Sequence, residues 1–90
     1  MEIEMPALDE ATKLAPLIER VHGANHPELT RVRELTEAIA GAESPSDKDA
    51  FFAELRTVTN NYTVPADGCE AYQGTYASLK AADQENTRAL

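Results

Sequence analysis

Apolar residues in this chain recur every three or four positions, in four separate runs. Leu8, Ala11, Ala15, Ile18 and His22 step by three, four, three and four, which is the spacing of one helix face. Leu29, Val32, Leu35 and Ile39 form a second stripe, and Phe51, Phe52, Leu55 and Val58 a third. Cys69, Tyr72, Tyr76 and Leu79 form the fourth, whose face then meets the polar residues Asp83 and Asn86. That fourth helix is therefore expected to fray towards its end. Breaks are expected at about residues 23–26, 41–45 and 60–65, where "GANHP", "GAESPS" and "NNYTVPADG" interrupt the pattern. Val64 apart, no stretch reads as a strand.

The local signals refine these boundaries. Pro6 suits a first helical turn. Pro16 lies inside the first stripe and removes the bond to the Thr12 carbonyl, so the first helix is either kinked or begins in earnest near Pro16. Pro27 opens the second helix and Gly41 closes it, with Arg33 and Glu37 paired on its wet side. Ser44 with Asp47, or Ser46 with Asp49, fits the spacing of an N-terminal capping box for the third. The fourth is expected to start between Pro65 and Asp67. Short connections favour antiparallel neighbours, so the pattern predicts an all-α fold, a small antiparallel bundle of about four helices forming one domain over residues 1–90. Its expected core is Ile18, Leu29, Val32, Ile39, Leu55, Val58, Tyr76 and Leu79.

Charge and composition narrow the function classes. Sixteen acidic residues against eight basic ones give a net charge of −8, which repels a phosphate backbone and anionic lipid, so neither nucleic acid nor membrane is an expected partner. No apolar run approaches the roughly 18 residues of a membrane span. The opening "MEIEMPALDE" lacks the basic and apolar regions of a signal peptide, and the single cysteine cannot form an internal disulfide. A cytoplasmic protein is expected. Asn61-Tyr62-Thr63 matches the glycosylation pattern, and without a secretory signal it reads as chance.

Few residues offer chemistry. His22 falls near the middle of the first apolar stripe, as a hydrogen-bonded core residue or an inward-pointing ligand. Glu19, three residues earlier at the stripe's edge, completes a Glu-x-x-His spacing of the kind that builds metal sites in helical bundles. A site shared by Glu19 and His22 would need a partner helix on that side. His26 directly precedes Pro27 and is expected at the turn. Cys69, near a helix start, reads better as a small packed residue than as a reactive thiol. There is no phosphate loop, no nucleophile elbow, no Cys-x-x-Cys and no evident acid–base pair of carboxylates, so no enzymatic machinery is visible.

Two stretches carry a family resemblance. "LDEATKLAPLIERVHGANHPELTRVREL" (8–35) resembles a helix–turn–helix of the hemerythrin-like domain in the iron–sulfur cluster repair family, di-iron proteins linked to nitrosative stress. "LRTVTNNYTVPADGCEAYQGTYASL" (55–79) resembles a later part of the same domain, with Tyr62, Thr63, Pro65, Cys69, Tyr72, Tyr76 and Leu79 matching its pattern. The resemblance implies that His22 occupies the position of an iron-binding histidine. The family's other ligands are missing: "IAGAESPSDKDAFF" stands where two further motifs belong, and "DQENTRAL" holds no histidine. A carboxylate-bridged di-iron centre needs ligands from all four helices. The expectation is a reduced, non-catalytic relative without cofactor, binding a protein partner or a small ligand. The alternative is an iron protein of the same stress-linked family, in which a two-fold homodimer brings together two copies of Glu19-x-x-His22.

Overall fold

Four α-helices follow one another in the computed structural model, which describes residues 6–88: α1 (Pro6–His22), α2 (Glu28–Gly41), α3 (Pro45–Val58) and α4 (Glu70–Arg88). The acidic opening Met1–Met5 and the last two residues lie outside that range. There is no strand among the described residues, and none of their helices is long and apolar enough to cross a membrane. The chain is a small all-α bundle.

Local chemistry explains most of the boundaries. α1 runs unbroken through Pro16, so the proline neither ends nor restarts it. Of the two capping candidates, Ser44 is the one used: its hydroxyl accepts from the Asp47 N–H at 3.1 Å, with Pro45 at the first helical position. α2 ends at Gly41 as expected, but not through a left-handed glycine, since no glycine among the described residues has positive φ. The chain instead turns extended at Ala42, whose N–H donates to the Ile39 carbonyl.

The α3–α4 connection holds the largest departures. Asn60, Asn61 and Tyr62 all have φ between 52° and 62°, a left-handed run of three residues. Asparagine tolerates this conformation and tyrosine does not, at a cost of roughly 1–2 kcal/mol. Local bonds offset it: the Tyr62 N–H donates to Thr59 Oγ1 at 2.9 Å, and the Tyr62 hydroxyl donates to Asp83 at 2.7 Å. A further turn, closed by the Gly68 N–H on the Pro65 carbonyl, delays α4 until Glu70 rather than Pro65 to Asp67. A Cβ at Gly68 would stand 2.5 Å from the Val64 Cγ1 methyl and 3.1 Å from the Pro65 carbonyl oxygen, so a larger residue fits this close turn only if Val64 shifts.

The core is the union of the stripes. α1 contributes Leu8, Ala11, Ala15 and Ile18, and α2 contributes Leu29, Val32, Leu35 and Ile39. α3 adds Phe52 and Leu55, and α4 adds Tyr72, Tyr76, Leu79 and Ala82, all buried. Helix α1 packs against both α2 and α4, α2 packs on α3, and α3 meets α4 less extensively. Val58, expected in the core, is only partly buried at its margin, because α3 ends there. The fraying expected of α4 is absent through Arg88. Its polar positions face α3 and are satisfied: buried Asp83 accepts from Arg56 Nε at 2.8 Å, and Asn86 Nδ2 donates to Asp49 at 2.7 Å. Those two pairs fix α3 and α4 antiparallel.

Leu55→Ala and Leu79→Ala should each cost about 2–5 kcal/mol in chemical denaturation, and Val58→Ala should cost clearly less. Equal losses at Val58 and Leu55 would show that the margin of the core is misplaced.

Candidate functional site

Chemistry-bearing residues gather at one end of the bundle. The turn after α1 is closed by the Gly23 N–H on the Glu19 carbonyl and the His26 N–H on the His22 carbonyl, both at 2.8 Å. This brings the two imidazoles to a centroid separation of 6.5 Å. Both rings then meet Tyr72 of α4 edge to face, His22 at 5.3 Å and His26 at 5.7 Å. Tyr72 in turn packs on Tyr76 at 5.0 Å, one helical turn along.

The Gly68 turn delivers a polar partner to each histidine. His22 Nε2 lies 3.1 Å from Cys69 Sγ. His26 Nε2 lies 3.1 and 3.0 Å from the two Asp67 carboxylate oxygens, while its Nδ1 is 3.4 Å from Glu28. The Asp67 hydrogen bond, assisted by the charges of Asp67 and Glu28, holds the His26 imidazole above the ordinary histidine range against the opposing effect of burial. The same bond holds Asp67 below the usual carboxylate range. Burial pushes the phenols of Tyr72 and Tyr76 up, so both remain neutral hydroxyls.

Glu19 and His22, paired by spacing, engage different partners. Glu19 is engaged on the α2 side, accepting from Arg33 Nε at 2.7 Å, and the Thr30 hydroxyl together with Arg33 keeps its carboxyl below the ordinary range. Arg33 also donates to Glu37 at 2.8 Å, as the one-turn spacing predicts. Among the described residues, no three His, Cys, Asp or Glu side chains gather as a metal-ligand set. Cys69 departs from its expected place in the core. α4 begins one residue after it, so the thiol sits exposed at the helix entrance. The sequence reading missed the His26–Asp67 contact, which joins residues 41 apart through two loops.

Comparison of the chain with known protein families, with curated proteins and with solved structures finds no match.

The His26 clasp sets a pH dependence. His26 is raised in the fold, so its stabilising contribution is fully present below the unfolded histidine range near ~6.5 and fades as pH climbs through the folded value. Asp67 is lowered, so its contribution is present above the unfolded carboxylate range and is lost only as pH falls through its own folded value. His26→Gln should therefore lower the melting temperature most near pH ~6 and progressively less towards pH ~8. Melting curves for the two proteins that stay parallel across that window would contradict the clasp.

Proposed function

We propose that the chain is a non-catalytic helical binding module, a reduced relative of the hemerythrin-like domain that works without a di-iron centre of its own. One observation carries this reading. His22, the position that the sequence resemblance assigns to iron, is engaged with Cys69 and Tyr72, while Glu19 is engaged with Arg33. Both candidate ligands are thus occupied within the protein, and they face different neighbours. A lone imidazole holds iron poorly against water and competing chelators.

The same reading makes the chain a cytoplasmic protein, in line with a single cysteine that cannot pair internally. A net charge of −8 favours a protein or small-ligand partner over nucleic acid.

Metal analysis of the full chain after anaerobic loading with ferrous iron and desalting, combined with its mass in solution, tests the reading. Iron well below one atom per chain is expected, and His22→Ala should change stability alone. About two irons per dimer, lost in His22→Ala, would instead establish the dimeric iron site.

A further inference from the structure

Cys69 does not stand alone at the entrance of α4. Its Sγ lies 3.1 Å from His22 Nε2, and the residue is exposed. One shared proton satisfies both atoms, as S–H···N or as S⁻···H–N. The thiolate is the form of cysteine that attacks, and a base within hydrogen-bond reach of the sulfur is the arrangement that supplies it.

The pair is also held in place. The Gly68 carbonyl accepts from Gln73 Nε2 at 3.3 Å, and the Cys69 carbonyl accepts from the Gln73 N–H at 3.0 Å. One residue of α4 thus fixes the backbone on both sides of the Gly68–Cys69 bond. On α1, the His22 carbonyl accepts from the Asn25 and His26 N–H groups at 3.1 and 2.8 Å, and the imidazole rests edge to face on Tyr72. Two turns and one aromatic ring therefore aim the base at the nucleophile before any reagent arrives. Asp67, two residues before Cys69, is turned to His26 at 3.0 Å, which leaves His22 Nε2 to the sulfur.

We propose that Cys69, with His22 as its base, exchanges with small disulfides and carries the product as a mixed disulfide. The proton on Sγ passes to His22 Nε2. The thiolate attacks one sulfur of the disulfide, whose S–S bond breaks as the new bond to Cys69 forms. The departing half leaves as a thiolate and takes the proton back from the imidazolium. Cys69 is oxidised, the departing sulfur is reduced, and no further oxidant is required. The chain has no second cysteine to resolve the mixed disulfide, so an external thiol reverses it. Each chain reacts once, so the site is one of modification rather than turnover. The proposal is independent of the binding-module reading and requires only that His22 be free of metal.

The rate of the full chain with 4,4′-dithiodipyridine, measured at neutral pH with EDTA present, tests the proposal. The reagent is uncharged, so the net charge of −8 does not repel it. Each rate is divided by that of N-acetylcysteinamide in the same solvent. The folded chain should react at least about tenfold faster than the chain unfolded in urea, a gain at or below that of a positioned base. Unfolding uncovers a thiol, so a faster folded chain isolates what the fold adds. His22→Gln should bring the folded rate down to the unfolded one. Loss of the ring alone would uncover the sulfur and raise the rate, so a fall reports the base. A folded rate equal to or below the unfolded one, or an undiminished rate in a folded His22→Gln protein, would each overturn the proposal. If His22→Gln fails to fold, the comparison of folded with unfolded wild type decides alone. A slow Cys69 in EDTA defeats this proposal and leaves the binding-module reading standing, whereas iron loading defeats that reading.

Discussion

The Tyr72 ring is the contact on which the arrangement of the bundle's end depends. It is fully buried, and it touches the last residue of α1, the turn before α2 and its own neighbour Tyr76. Three edge-to-face contacts on one ring fix where two histidines stand. Their positions then decide which partners the α3–α4 loop must present. Asp67 and Cys69 meet those needs one each, because the close turn at Gly68 puts them on either side of a single glycine. Aromatic packing therefore comes first in this account, and the hydrogen bonds of the imidazoles follow from it.

A second constraint acts through the same loop. The left-handed run Asn60–Tyr62 is strained at Tyr62, and it persists because the Tyr62 hydroxyl is held by Asp83 deep on α4. Asp83 also receives Arg56 from α3. One carboxylate thus ties the loop, α3 and α4 together where the helix-to-helix packing of α3 on α4 is slight. The loop is anchored at both ends, by Asp83 behind Tyr62 and by the histidines ahead of Asp67. A cleft lined by Glu28, Tyr72 and Tyr76 lies between those anchors.

The helices were legible because apolar spacing and cap chemistry are local. Ser44, Pro45 and Gly41 mark boundaries by properties of their own backbone and side chain. The stripes located all of the expected core except Val58, which spacing cannot distinguish from a helix end. Asp83 and Asn86 misled for a physical reason: a polar residue on an apolar stripe signals exposure unless a partner waits on another helix, and the pattern of one helix does not contain Arg56 or Asp49. The candidate site was half legible. His22, Cys69 and Tyr72 were picked out by their places on the apolar stripes. Their meeting with His26 and Asp67 depends on two turns closing against each other, which no spacing along the chain encodes.

The central claim is that the Tyr72 ring, and not its hydroxyl, organises the histidine end. Native-state hydrogen exchange on Tyr72→Phe and Tyr72→Leu tests it most directly, read at the amides of His26, Leu29, Gly68 and Gln73, which donate to the carbonyls that close the two turns and open α2 and α4. Tyr72→Phe should keep wild-type protection at these four amides. Tyr72→Leu should lose protection there beyond any loss in the middle of α2. Wild-type protection at these amides in Tyr72→Leu would contradict the account.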